Sequence, residues 1–148
     1  MWISPIIDRT KSDAEYAQQH RDAVVENKGA FNATDLNRIE GNIAYLAEQL
    51  RSYGYIVILE SIKTDWNEQS TWPKSSEFDR IRRNVSTIRE AYYIMQGSPE
   101  MDWTTKFDWN DANSLERNLL NINTLIGYMT EGFRRCGTFA CGQELILP

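Results

Sequence analysis

Leu36, Ile39, Ile43, Leu46, Leu50 and Tyr53 are separated by alternating steps of three and four, the narrow apolar seam of a helix that packs in a bundle or coiled coil. Phe78, Ile81, Val85, Ile88, Tyr92 and Met95 repeat the rhythm 42 positions later. Ala112, Leu115, Leu119, Ile122, Ile126 and Met129 repeat it 76 positions after the first. The pattern predicts three helices of one design, with Ile43, Val85 and Leu119 sharing a layer of an antiparallel or mixed bundle. Polar positions recur in the same register. Thr34, Ser76 and Asn110 stand ahead of each seam as candidate N-caps. Asp35, Glu77 and Asp111 follow at once, where a negative charge meets the positive end of the helix dipole. Asn37, Asp79 and Asn113 resemble the reciprocal arm of a capping box. Asn42, Asn84 and Asn118 flank the seam, placed to hydrogen-bond across a helix interface or to a crossing loop. Glycines at 54, 97 and 132 mark the expected helix ends.

Outside the repeat, Thr10 with Asp13 reads as the cap of a further helix reaching Asn27. Its stripe of Ala14, Ala17, Val24 and Val25 is thin, so it is expected at the periphery. The connection from Tyr55 to Ser75 is too long for a tight helical hairpin and opens on β-branched and aromatic residues, which predicts a short strand over Tyr55–Ile62. From Phe133 onward the helical period is absent, and a strand or hairpin leading to an extended apolar end is expected. The fold class is therefore mainly α: a bundle of three heptad-patterned helices plus a peripheral N-terminal helix, with short strand or hairpin elements at Tyr55–Ile62 and the C-terminus. The organisation expected is an N-terminal arm over 1–9, a helical bundle domain over 10–132 and a C-terminal hairpin or extended arm over 133–148.

Composition narrows the chemistry more than it defines it. At 148 residues, 41% hydrophobic and 25% charged, the chain is sized for one globular domain. A formal charge of −5 argues against generic nucleic-acid binding. No apolar run approaches the roughly 20 residues that span a bilayer, and the opening residues lack the pattern of a secretory leader, so synthesis and folding in the cytoplasm are expected. A single histidine, His20, and two cysteines, Cys136 and Cys141, leave no triad or metal-ligand spacing. No phosphate loop or nucleophile elbow is present, and no catalytic, cofactor-binding or metal-binding residue is assigned. The basic run Arg80, Arg82, Arg83 and Arg89 is interspersed with acids and reads as a solvated helix face. Trp2, Trp66, Trp72, Trp103 and Trp109 lie off the seams, covering the ends of the bundle or anchoring a partner. Lys63-Thr64-Asp65-Trp66 and Lys106-Phe107-Asp108-Trp109 share a pattern read as a further trace of the repeat. Apolar residues at the ends, namely Trp2, Ile3, Pro5, Ile6, Ile7, Phe139, Leu145, Ile146 and Leu147, are candidate partner contacts through extended arms.

The stretch Lys28-Gly29-Ala30-Phe31-Asn32-Ala33-Thr34-Asp35-Leu36-Asn37-Arg38-Ile39-Glu40-Gly41-Asn42-Ile43-Ala44-Tyr45-Leu46-Ala47 resembles a block of small structural proteins from tailed bacteriophages and prophages of Gram-positive bacteria. The opening Ile3-Ser4-Pro5-Ile6-Ile7-Asp8-Arg9-Thr10, the Lys63–Trp66 element and the Asn113-x-x-Glu116 helix start resemble the same family in the same order. The resemblance implies a non-enzymatic virion or tail component of the baseplate or fibre region, or of a phage-tail-like particle. It implies other tail or virion proteins as partners and oligomerisation within the assembly; no cofactor, nucleic acid or membrane is expected from the residues themselves. The cysteine-bearing tail departs from the small polar residues of the family. Two other functions compete: a host-adsorption module that binds surface glycan through Trp72 and Trp103, and a cytoplasmic regulatory bundle.

Overall fold

The computed structural model describes residues 1–21, 27–102 and 106–136, with side chains as far as 132 in the last stretch. The described residues form four helices: α1 (Lys11–Gln19), α2 (Ala33–Ser52), α3 (Ser75–Ala91) and α4 (Trp109–Cys136). Helices α2, α3 and α4 each pack on the other two, seams inward. Ile43, Val85 and Leu119 are all completely buried in one core cluster. The direction differs from the antiparallel or mixed arrangement expected, because all three helices run parallel. Arg38 meets Glu116 and Arg80 meets Glu40 near the helix starts, while the Tyr53 hydroxyl meets Thr130 at the far end.

Parallel neighbours require crossovers, and the long connections supply them. Extended chain advances about 3.3 Å per residue against 1.5 Å in a helix, so a dozen extended residues return along the whole of α2. Residues 55–66 do this. The segment holds no strand, and no strand occurs among the described residues, which corrects the expectation for Tyr55–Ile62. Its backbone is bound by helix side chains instead of by a neighbouring strand.

The caps stand two residues ahead of those expected. Asn32 Oδ1 accepts from the N–H groups of Thr34 and Asp35, and Asp35 accepts from Asn32 N–H in return. Asp108 and Asp111 reproduce this at α4, and at α3 Glu77 accepts from Lys74 N–H. Asp35, Glu77 and Asp111 are therefore the reciprocal arms of the caps, which frees Asn37 and Asn113 for other work. Phe31 and Phe107 directly precede two of these caps and converge on Phe78, with ring centroids 4.5–6.2 Å apart, closing the N-terminal end of the core.

Thr10 and Asp13 form the expected capping box on α1, which buries no residue and is peripheral. This helix ends at Gln19, short of Asn27, and Val24 and Val25 lie outside the described residues. Gly54, with φ of 91°, follows α2 as expected. Helix α3 stops at Ala91, leaving Tyr92 and Met95 beyond it, and Gly97 turns the chain with φ of 81°. Helix α4 passes through Gly132 and carries Phe133–Cys136 as helix, which corrects the hairpin expected from 133. Phe139, Cys141, Leu145, Ile146 and Leu147 lie outside the described residues.

Candidate functional site

Each groove between neighbouring long helices carries an extended strap, and two of the three are held by one set of contacts. In the α2/α3 groove, Asn84 of α3 accepts from Glu60 N–H at 2.8 Å, and Asn37 of α2 grips Trp66 by both backbone groups, at 2.9 and 2.8 Å. Between them Glu40 accepts from Lys63 N–H, the Trp66 indole and both terminal nitrogens of Arg80. In the α2/α4 groove the strap is residues 3–9. Asn42 of α2 grips Ile3 at 2.9 and 2.7 Å, and Asn113 of α4 grips Arg9 at 3.1 and 2.8 Å. Glu116 accepts from Ile6 N–H, Arg9 and Arg38. Anchors thus fall at strap positions 3, 6 and 9 and again at 60, 63 and 66. Glu116 takes the place of Glu40, Arg38 that of Arg80, and Arg9 that of Trp66.

A carboxylate is the right hub for such a junction. Its two oxygens offer about four acceptor sites and serve donors from three chain segments at once. Glu40 and Glu116 are both fully buried, and leaving either carboxylate without guanidinium donors carries a desolvation penalty of several kcal/mol. Burial opposes the charge on Arg38, but hydrogen bonds and attraction from Glu116 and Asp35 outweigh it and hold the group above its usual range. Hydrogen bonding to Glu40 raises Arg80 likewise against its burial. Arg80 and Arg89 are therefore largely buried, and the solvated-face reading fails for these two. Arg83 does lie at the surface, paired with Glu60 at 2.5 Å.

The α3/α4 groove departs from this plan. Asn118 donates to the Pro99 carbonyl at 2.9 Å, in register with Asn42 and Asn84. The hub position, however, carries Arg82, and the position of Arg38 and Arg80 carries Ser114.

The N-terminal residues taken as a partner-binding arm belong to these grooves. Ile3 and Ile6 bind through their backbones, Trp2 packs against the core with its ring 6.1 Å from Tyr45, and Pro5 and Ile7 are half-buried. Trp66 is buried, Trp109 opens α4, and Trp103 lies outside the described residues. Strap position 66 and helix residue 109 are not equivalent, so the shared Lys-x-Asp-Trp pattern is not part of the structural repeat. Trp72 is 59% exposed on the rim of a cleft of about 630 Å³ that Phe31, Phe107 and Trp109 also line. Among the described residues no cluster of metal-ligating side chains occurs, and no helix is long and apolar enough to cross a membrane.

The repeat marks Arg38, Glu40 and Glu116 in the sequence, since Arg38 and Arg80 stand 42 apart and Glu40 and Glu116 stand 76 apart, whereas Arg9 has no counterpart in it. No protein-family model, curated protein or solved structure matches this chain, so the strapped parallel bundle is described from its own geometry.

Proposed function

We propose that this chain is a non-enzymatic structural component of a phage tail or phage-tail-like particle, in the baseplate or fibre region, where it acts as an assembly scaffold or adaptor. One observation carries the reading. The eight buried polar or charged residues among the described ones are Arg9, Asp35, Arg38, Glu40, Asn42, Asn84, Glu116 and Asn118, and every one of them binds a strap or a group that does. Buried ionisable groups in an enzyme are tuned toward a substrate; here they are consumed in holding the backbone. The family resemblance of the 28–47 block and the strap sequences supports the same conclusion. Exposed apolar side chains gather where α2 and α3 end: Ile56, Ile58, Tyr92, Tyr93 and Ile94, with the Tyr55 and Tyr92 rings 5.3 Å apart. This end is assigned to contact with neighbouring subunits, a second copy or another tail protein, in the virion. Mass spectrometry and cryo-EM of particles purified from the source bacterium test the proposal. Stoichiometric density for a three-helix bundle is expected, and intact particles that lack the chain would refute it.

Glycan adsorption remains the second reading, favoured by exposed Trp72 beside an aromatic cleft. It expects reproducible glycan-array binding by the isolated protein that Trp72→Ala abolishes.

A further inference from the structure

The extended residues 55–60 send alternate side chains to opposite sides, as a strand does. Val57 is buried and Leu59 packs against the core, while Ile56 and Ile58 are 86% and 81% exposed. Two β-branched apolar side chains held that far out of the groove add nothing to the bundle's own core. The repeat does not require them either. Asn84 and Asn118 hold strap residues 60 and 99 in the same register, so Ile56 and Ile58 correspond to Met95 and Gly97 in the third strap. There Met95 is half-buried and Gly97 turns the chain. The equivalent groove thus does without outward isoleucines. Tyr92, Tyr93 and Ile94 are exposed at the same end of the bundle, with the Tyr92 ring against Tyr55.

Charge is missing from the same surface. Residues 52–59 and 91–99 hold no Asp, Glu, Lys or Arg, in a chain with 25% charged residues and a formal net charge of −5. We propose that this face is a two-fold contact between two copies of the chain. A two-fold axis sets a patch against itself, so a charged patch meets like charge, whereas an uncharged apolar one meets its own complement. Two acidic chains repel each other least here. The five exposed side chains present on the order of 700 Å² of accessible surface, more than the roughly 300–600 Å² of the largest apolar patch on a typical monomer. With the atoms around them this reaches the roughly 800 Å² per partner of a standard interface. Antiparallel straps place Ile56 and Ile58 of one copy against Ile58 and Ile56 of the other, flanked by the two α3 ends. At the rim Glu60 and Arg83 already pair with each other, so neither brings an unmatched charge to the contact. The inference names the partner for the end that the functional proposal gives to neighbouring subunits, and it rests on that assignment rather than on the particle.

Sedimentation equilibrium of the isolated full chain reads the contact directly. A reversible monomer–dimer equilibrium is expected, approaching twice the 17.2 kDa chain mass, with a dissociation constant in the micromolar range or tighter. Association through uncharged apolar surface is expected to hold or strengthen as sodium sulfate is added, whereas a contact made by ion pairs weakens. Ile58→Lys, with Ile56→Lys as a second variant, is expected to raise the dissociation constant at least tenfold at unchanged far-UV circular dichroism, because both side chains already stand in solvent. Trp72→Lys, at the opposite end of the bundle, is expected to leave the equilibrium as it is. A chain that stays monomeric at several hundred micromolar, a dimer that salt weakens, or one that both isoleucine variants leave intact would overturn the proposal. So would a monomer that dimerises only when residues 137–148 are removed, since this face would then be covered by the chain's own end. None of these results bears on whether the chain resides in a particle, which mass spectrometry and cryo-EM of particles decide separately.

Discussion

At the scale of single residues, an asparagine beside a helix seam is a clamp for a passing peptide. Asn42 binds both the N–H and the carbonyl of Ile3, whereas Asn118 holds its strap by the carbonyl of Pro99 alone and otherwise donates to Ser114 of its own helix. Asn42→Ala leaves two part-buried backbone groups unpaired and should cost about 2 to 3 kcal/mol in urea denaturation. Asn118→Ala should cost clearly less, because half of that side chain is already unmatched. Equal losses would mean that the two amides do not differ in what they hold. Glu116→Gln removes the charge between Arg9 and Arg38, with an expected loss of about 3 to 5 kcal/mol. At the surface, the Arg83 hydrogen bond holds the Glu60 carboxyl below its usual range. A depressed carboxylate contributes stability that is present above its unfolded value and lost as pH falls through its folded value. NMR titration of Arg83→Met should therefore show the Glu60 midpoint rising, with the variant losing less stability than wild type on acidification below the usual carboxylate range. An unmoved midpoint would remove Arg83 as the cause.

At the scale of elements, the straps are as much a part of the core as the helices. Deleting residues 1–7 removes the partners of Asn42 and the Ile6 donor to Glu116. A lower melting temperature and a shallower denaturant slope are expected, since less surface is then buried. A truncated chain that melts like wild type would return this segment to the status of a free arm. Seams and repeat length were legible in the sequence because apolar periodicity reports directly on which face is buried. The crossing loop beside Asn42, Asn84 and Asn118 was legible for a similar reason: an amide repeated in register beside an apolar stripe has no role in solvent. The direction of the helices was not, since parallel and antiparallel bundles place the same residues inside, and only the partners of Arg38 and Arg80 distinguish them. The caps were misplaced by two residues because Thr34, Ser76 and Asn110 are good capping types, while the acids behind them serve either frame. Glu40 and Glu116 were passed over since a helical glutamate is usually solvated.

At the scale of the molecule, three strap-and-helix units close into a pseudo-threefold ring whose last joint lies between the two halves of the chain farthest apart in sequence. Leu119 sits at the centre of this ring, fully buried. Leu119→Ala should cost about 2 to 5 kcal/mol by cavity formation, measured by thermal or urea unfolding, and wild-type stability would refute the shared core layer. The joint between Arg9 and Glu116 spans 107 residues. At roughly 5 to 20 residues per second on the ribosome, Arg9 therefore waits about 5 to 20 s for its carboxylate to be made. Throughout that interval the α2/α3 unit can assemble, and the first strap is held by Asn42, Asp35 and Lys28 but lacks Asn113 and Glu116. Nascent chains are thus born with an open groove and a loose opening segment, and the interval before α4 emerges is when chaperones or a second nascent chain have access to both. Slowing translation across residues 109–116 should lengthen that window and raise the yield of strap-exchanged oligomers, which size-exclusion chromatography of the released product would detect.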